Sequence, residues 1–270
     1  MDHLVSLAQH TTPLWTPSEM LCNAKQIGYN FVSIRAIPQG VLGERYFDLV
    51  NDKKQFIYTK EAMKNTGVGI NDIDLVAIRN DYDVKQCEAT LEIAASLGVK
   101  GVVCSVWTPD RYLYTEQFAQ LCDLANQYGL CVHLEFVTWA EINNLASAAE
   151  LLKITRKSNA RILVDMIHMY RSQVSVEELA SLPQEWFELL HICDAPKKIP
   201  KEKKKIISSC RSERLYPGEG CLDMHAVLRN VLPSAVLSIE IPNAKRHSEL
   251  GAYEHAYRCL QTTKEYLHIT

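Results

Sequence analysis

The sequence lacks a long apolar run, an excess of basic charge and a Cys-x-x-Cys pair. None of its apolar stretches approaches the roughly 20 residues that a membrane-spanning helix needs. Its 32 acidic and 29 basic residues give a formal charge of −3, which provides no general attraction to nucleic acid or to anionic membranes. The composition therefore disfavours a membrane protein and a nucleic-acid-binding protein.

The cysteines and the N-terminus indicate the compartment. Nine cysteines are scattered along the chain, and because the number is odd, an oxidising compartment would leave at least one unpaired. Met1–Leu4 has neither the positive charge nor the apolar stretch with which a secretory signal peptide begins. We therefore expect a cytoplasmic protein with reduced thiols.

Short β-branched segments alternate with longer amphipathic stretches eight times. This alternation predicts parallel strands joined by helical crossovers, and eight units fit a (β/α)8 TIM barrel, an α/β fold of typically about 250 residues. A doubly wound open sheet normally has a glycine-rich phosphate loop after its first strand, which Ala8–Thr11 does not provide. Without a linker or low-complexity tract, we expect residues 1–270 to form a single domain. The predicted strands are Leu4–Thr11, Phe31–Ala36, Val68–Ala77, Gly101–Trp107, Cys131–Phe136, Arg161–His168, Leu189–Ala195 and Ala235–Ile241.

Several helix ends can be predicted directly. Thr16–Glu19 offers an N-cap threonine, a proline at the first helical position and an acid at the third. That helix should end at Gly28, and two later helices should end at Gly98 and Gly129, because glycine adopts the left-handed C-cap conformation at least cost. Ser175–Glu178 is a second capping box.

Four consecutive predicted strands each carry an ionisable side chain near the carboxyl end of an apolar segment. In a barrel these ends meet at the active-site mouth. A carboxylate there loses its hydration, and a bound cation offsets that cost. A single histidine could instead be a hydrogen-bonded core residue, and a single acid could pair with an arginine. That explanation would have to hold four times at adjacent strand ends, whereas one bound metal ion accounts for all four residues. The four residues are Glu135, Asp165, His191 and Glu240.

Three carboxylates and one imidazole form an oxygen-rich ligand set. Such a set suits Mn2+, Mg2+ or Co2+, and it would accept Zn2+ without selecting it strongly. We therefore expect one divalent metal ion, and of these ions we expect Mn2+ first. His133 shares a strand face with Glu135 but lies one layer deeper, so we interpret it as a core residue or one that supports a ligand.

In their order along the chain, these segments resemble the xylose isomerase-like barrels, which comprise sugar-phosphate isomerases, epimerases and their relatives. No single segment is specific, whereas the ordered set is, and with the eight strand–helix units the resemblance covers essentially the whole chain. It is greatest for single-metal keto-sugar epimerases and inosose isomerases. The matching segments are 134–136, 165–168, 191–194, 214–220 and 238–240.

The resemblance implies roles for individual residues. By position, the metal ligands are Glu135, Asp165, His191 and Glu240. His168 and Arg214 would contact substrate oxygens. Glu141, six residues after Glu135, would bind substrate as in epimerases of the family, or it would be an acid in the first turn of a helix, where the dipole favours it.

The chain departs from the family pattern between His191 and Arg214. An enlarged loop there carries six lysines, and it makes the substrate contact of Arg214 less secure. A charge run of this kind is usually a solvated surface loop, and on the active-site face it could instead be a lid that reaches an anionic substrate. The lysines are Lys197, Lys198, Lys201, Lys203, Lys204 and Lys205.

The expected function is a divalent-metal-dependent isomerase or epimerase of a sugar, sugar phosphate or inosose. A metal that chelates a carbonyl oxygen and the neighbouring hydroxyl stabilises the enediolate formed when the C–H between them loses its proton. Glu135 and Glu240 would be the catalytic pair, one removing the proton and the other returning it. The substrate would be a small polyhydroxylated ketone or aldehyde, and no organic cofactor is expected.

Three other functions share the fold. A lyase of the 3-dehydroshikimate dehydratase type would use the same metal site, and no motif separates it from an isomerase. Apurinic-site endonucleases use three metals and additional histidines, whereas strands 3 and 4 offer Asn71, Asp72, Asp74, Ser105 and Trp107 and no histidine. A non-catalytic binding barrel would not need the buried carboxylates. Such barrels often associate through their helices, and the sequence leaves the oligomeric state open.

Overall fold

Eight parallel strands close into a barrel in sequence order, so that β1 pairs with both β2 and β8. The structure, a computed structural model, describes residues 3–38 and 45–269. Met1 and Asp2, on which part of the signal-peptide argument depends, lie outside the described residues. The predicted (β/α)8 TIM barrel is confirmed. The strands are β1 (Val5–Ala8), β2 (Phe31–Arg35), β3 (Gly69–Ile78), β4 (Gly101–Val106), β5 (Cys131–Glu135), β6 (Ala160–Asp165), β7 (Leu189–Ile192) and β8 (Val236–Ile239).

Helices connect the strands and cover the outside of the barrel. The predicted capping boxes are present, with the Thr16 and Ser175 side chains accepting from the third helical N–H of their helices. Gly28 ends the first helix with a φ of 107°. Among the described residues, no helix is both long enough and apolar enough to cross a membrane. The helices are α1 (Pro17–Ile27), α2 (Lys53–Thr66), α3 (Glu88–Ser96), α4 (Arg111–Gln127), α5 (Leu145–Thr155), α6 (Met166–Arg171), α7 (Val176–Ala180), α8 (Lys203–Ser212), α9 (Met224–Leu228) and α10 (Ala244–Leu267).

Two apolar clusters hold these layers together. The larger one joins the strands to the surrounding helices. The smaller one, formed by Val103, Leu163 and Leu189, is almost completely buried. Because side chains alternate between the two faces of a strand, Leu163 and Leu189 point to the same side as Asp165 and His191, which follow them by two residues. The smaller cluster is thus an apolar floor beneath the ionisable side chains.

The sixth strand is shorter than the sequence predicts. It was predicted to continue to His168, whereas β6 ends at Asp165 and α6 begins at Met166. The cause is the Asp165 side chain, whose Oδ1 accepts the Ile167 N–H at 2.9 Å and so caps the short helix. His168 therefore lies in a helix and not in a strand.

The lysine-rich segment was predicted as a loop, but its second half is helical. Lys203, Lys204 and Lys205 form the first turn of α8. The buried guanidinium of Arg171 donates to the Ile206 carbonyl at 2.9 Å and to the Ser209 hydroxyl at 3.0 Å. These tertiary contacts hold the helix against α6, and sequence periodicity could not reveal them.

Candidate metal centre

Four ionisable side chains meet at the carboxyl end of the barrel. Glu135 and Asp165 are the last residues of β5 and β6, His191 lies in β7, and Glu240 directly follows β8. Each is at most 8% exposed. Because the four strands are neighbours in the barrel, the structure brings together the residues that were predicted to form the site.

The His191 imidazole lies at the centre of the three carboxylates. Its Nδ1 is 3.5 Å from Glu240 Oε2, 3.6 Å from Glu135 Oε1 and 3.9 Å from Asp165 Oδ2. Both ring nitrogens are buried, and neither has a hydrogen-bond partner among the described residues. A buried polar atom without a partner costs about 1–3 kcal/mol, so the arrangement indicates that a further group belongs at this point.

A divalent cation fits this group. Metal–ligand bonds of about 2.0–2.2 Å place neighbouring ligand atoms roughly 3–3.5 Å apart, close to the distances around His191 Nδ1. Donor atoms of Asp165, His191 and Glu240 all lie within 4.8 Å of one another, as do those of Glu135, Asp165 and His168. The residues therefore form a candidate metal site with oxygen and nitrogen donors.

Arg214 bonds to the carboxylates themselves. Its guanidinium donates to Asp165 Oδ2 and to Glu240 Oε2, each at 2.8 Å, and its Nε donates to the Cys210 carbonyl. The side chain is 3% exposed, so these charge-assisted bonds lie in a region of low dielectric. Arg214 thus orients two of the four residues, a contact that the predicted role at a substrate oxygen did not include.

Opposing effects set the ionisation of these groups. Burial would lower the pKa of His191, but the Glu240 and Glu135 carboxylates outweigh burial and raise that pKa well above its usual range. Burial would raise the pKa of Glu240, and Arg214 together with His191 outweighs burial and holds it well below the usual range. For Glu135, burial dominates and raises the pKa. The pKa values of Glu240 and Glu135 are therefore shifted in opposite directions.

His168 faces the same group from α6. Its Nδ1 lies 3.0 Å from the Thr138 hydroxyl and accepts a long bond from the Thr138 N–H. Burial lowers the pKa of His168 to about 4, so the ring is neutral near pH 7. Because Nδ1 accepts from the Thr138 N–H, we assign the ring proton to Nε2. Trp139 packs edge-on against it at a centroid distance of 5.1 Å. A neutral imidazole held in this way can donate a hydrogen bond from Nε2.

The structure does not bring Glu141 into the buried group. Glu141 is exposed, and its backbone N–H donates to the Val106 carbonyl at the end of β4. It also precedes α5, which begins at Leu145 behind the N-cap Asn144. The alternative interpretation as an acid in the first turn of that helix is therefore wrong, and its predicted contact with substrate stays a prediction.

His133 lies deeper in the barrel, as its strand position predicts. It is 4% exposed, and burial lowers its pKa to about 3. A Cβ on Gly101 of the neighbouring strand would collide with its ring. The glycine in β4 therefore makes room for the imidazole.

Two further residues at the rim were not predicted. His10, just after β1, places Nδ1 3.7 Å from Glu240 Oε1. Asp194, three residues after His191, accepts the backbone N–H groups of Ala195, Gly218, Gly220 and Leu222 at 2.8–3.0 Å. His10 could have been found by reading the end of strand 1 as the other strand ends were read. Asp194 gave no such signal, because its partners are main-chain groups.

Comparisons with known proteins agree with this fold. A profile of the xylose isomerase-like TIM barrel family matches residues 21–263. An inosose isomerase of Bacillus velezensis is 23% identical over 230 residues, which cover 79% of each chain.

Solved structures give the same result. The crystal structure of the IOLI protein with a bound zinc atom has a TM-score of 0.78 and 19% identity, and the match covers 99% of this chain and 98% of the other. The 3-keto-D-glucoside 4-epimerase of E. coli has a TM-score of 0.68 and 20% identity, with 96% and 98% covered. At these identities the two structures support the fold alone.

Proposed function

This chain belongs to the xylose isomerase-like TIM barrel family, and we propose that it is a divalent-metal-dependent isomerase or epimerase of a small polyhydroxylated ketone or aldehyde. The observation that carries the proposal is the buried, unpartnered Nδ1 of His191 among three carboxylate oxygens at 3.5–3.9 Å. The inosose isomerase named above, which is similar in sequence over 79% of each chain, supports the substrate class.

In this proposal Glu135, Asp165, His191 and Glu240 hold the ion. When bound, a divalent cation supplies Lewis-acid polarisation of a carbonyl and an adjacent hydroxyl. The ligand chemistry favours Mn2+, Mg2+ or Co2+, and the zinc atom in the IOLI structure is a reason to test Zn2+ as well. Loading the purified protein with each ion in turn is therefore part of the test.

The chain's own residues move the proton. Glu135 and Glu240 leave the outer strands of the set β5 to β8, on either side of Asp165 and His191. We assign the two glutamates to opposite faces of the reacting carbon, one as base and the other as acid. Return of the proton to the opposite face of the same carbon gives an epimer, and its delivery to the neighbouring carbon converts a ketose into an aldose.

Other residues bind and orient the substrate. His168 would donate from Nε2 to a substrate oxygen, since Thr138 already occupies its Nδ1. Arg214 holds Asp165 and Glu240 in place, and its predicted contact with a substrate oxygen would use the same guanidinium. Glu141 remains a proposed substrate-binding residue at the exposed rim.

The first experiment measures solvent deuterium exchange. The metal-loaded protein is incubated in D2O with keto-sugars, inositol ketones and dehydroshikimate, and proton NMR follows loss of the signal next to the carbonyl. We expect exchange with a keto-sugar or an inosose. We expect Glu240→Gln to retain metal, because the amide oxygen remains, but to lose exchange by about 100-fold or more, the usual contribution of a general base.

The controls separate the proposed function from its neighbours. Glu150→Gln changes an exposed acid paired with Arg111 and should exchange like the unaltered protein. Unchanged exchange in Glu240→Gln would exclude that residue as the base. A product absorbing in the near ultraviolet, formed from dehydroshikimate, would identify a dehydratase instead.

A further inference from the structure

A cavity of about 560 Å³ lies beside the candidate metal centre. Three segments line it: the residues after β1, the last turn of α8 and the residues that follow β8. Its size lies within the usual 300–1,000 Å³ of a small-molecule pocket. Polar and charged groups are contributed by His10, Arg211 and His247, and Leu14 and Pro242 supply apolar surface.

His10 lies between the cavity and the candidate metal centre. This residue lines the cavity, and its Nδ1 is 3.7 Å from Glu240 Oε1. Thr11 also lines the cavity, and its hydroxyl accepts the Ile241 N–H next to Glu240. The cavity therefore adjoins the candidate metal centre at His10 and Thr11.

The charge in the lining of the cavity is positive. None of the described residues that line the cavity is acidic. Arg211 is exposed, and among the described residues its guanidinium has no carboxylate partner, unlike Arg214, which is bonded to two. The buried Nε2 of His247 also lacks a hydrogen-bond partner within the described part of the chain.

The other cations of this face are less suited to the cavity. Lys205 is paired with Glu213 at 2.7 Å, and Arg246 with Glu219 at 2.8 Å. Arg211 is thus the unpaired cation that faces the cavity among its described lining residues. A guanidinium presents a planar fork of donors that matches phosphate and carboxylate oxygens.

We propose that the end of the substrate remote from the metal is anionic, a phosphate monoester or a carboxylate, and that it binds in this cavity to Arg211 with His10 and His247 as hydrogen-bond partners. This inference rests on the proposed function, because it concerns the substrate of the same site. It narrows the substrate class from polyhydroxylated ketones in general to those that carry an anionic group.

The kinetic test compares three substrates that share the reacting end: a neutral keto-sugar, its phosphate monoester and the corresponding carboxylate. We expect kcat/KM to be highest for one of the two anionic compounds, and their ranking separates phosphate from carboxylate. Arg211→Gln should lower kcat/KM for the preferred anion by about 10-fold or more, as expected for a charge-assisted bond, and change it less than about twofold for the neutral sugar. Lys245→Gln, which removes a charge from a side chain that is 81% exposed, should change neither value.

A binding experiment tests the cavity independently of turnover. Titration with inorganic phosphate is followed by calorimetry in the metal-loaded protein, its Arg211→Gln variant and its Lys245→Gln variant. Binding weakened only in Arg211→Gln supports the proposal, even if none of the three sugars reacts and the proposed function fails. Equal phosphate binding by all three proteins, or an equal loss of kcat/KM for neutral and anionic sugars in Arg211→Gln, would overturn it.

Discussion

Arg214 is the residue that orients the carboxylates of the candidate metal centre. Its guanidinium bonds to Asp165 and Glu240 and supplies positive charge to these two buried carboxylates. Removing one partner of a buried ion pair leaves the other charge uncompensated, which typically costs about 3–5 kcal/mol. A divalent cation at the same carboxylates would offset part of that cost.

We predict that Arg214→Met lowers the free energy of unfolding by about 3 kcal/mol without metal, and that added metal restores a large part of the loss. Urea unfolding with EDTA or with Mn2+ measures both effects. Arg171→Met is the matched control, because Arg171 is a buried arginine that bonds to Ile206, Ser209 and Cys210 and, within the described part of the chain, to no carboxylate. Equal recovery of both variants with metal would contradict the explanation.

The segment between β7 and α9 depends on Asp194. Its carboxylate accepts four backbone N–H groups, three of them from residues that follow Arg214. Asp194 also forms an antiparallel bridge with Leu215. This single side chain therefore fixes the path of the chain that carries Arg214 to the metal centre.

We predict that Asp194→Asn destabilises the protein by about 2–4 kcal/mol, because an amide accepts fewer bonds and directs its own N–H donors at backbone N–H groups. Thermal unfolding measures the loss. Asp223→Asn makes the same change at the N-cap of α9 and should shift Tm little, since aspartate and asparagine cap helices about equally well. Similar shifts in both variants would contradict the special role of Asp194.

At the scale of single elements, the helix starts that depend on neighbouring residues could be predicted from the sequence. Thr16 and Ser175 begin their helices where the capping boxes indicate, because each box is satisfied by groups three residues apart. The start of α6 could not be predicted in this way, since Asp165 acts there as strand end, cap and candidate ligand at once. The helical form of Lys203–Ser212 depends on contacts with Arg171, which is distant in sequence.

At the scale of the whole molecule, a buried histidine makes stability depend on pH. His255 is fully buried, donates from Nε2 to the Ile241 carbonyl and accepts from the Tyr216 hydroxyl. Burial lowers its pKa in the folded state. As the pH falls below the ordinary value of about 6.5, the unfolded chain therefore gains a proton that the folded protein resists, and stability decreases.

We predict that His255→Gln flattens the decrease in unfolding free energy between pH 7.5 and 5.5, by at most about 1.4 kcal/mol per pH unit, the limit for one proton. Glutamine keeps one donor and one acceptor at the end of the side chain but does not titrate. Urea titrations at several pH values give the slope. His268→Asn is the control, because His268 is exposed and its left-handed conformation, with a φ of 54°, suits asparagine. An unchanged slope in His255→Gln would contradict the prediction.

The barrel and the gathering of the four ionisable residues could be predicted from the sequence, and the contacts around them could not. Glu135 and Glu240 stand out because charge is costly in an apolar strand, and parallel strands bring their ends together. Arg214 reaches its partners only because of the path that the chain takes over the more than 20 residues after His191. No local sequence pattern determines that path. The same is true of Arg211, because its proposed binding role depends on a cavity formed by three separate segments.

The bonds from Arg214 to Asp165 and Glu240 have a consequence for how the protein would obtain its metal. The Arg214 guanidinium already balances part of the acidic charge, so on the proposed function the barrel would fold first and bind its ion later. The choice of ion would then follow cellular supply and the general affinity order, in which Zn2+ binds more tightly than Mn2+. At such a preformed site, an ion that binds more tightly would displace one that is more reactive. This exchange is called mismetallation.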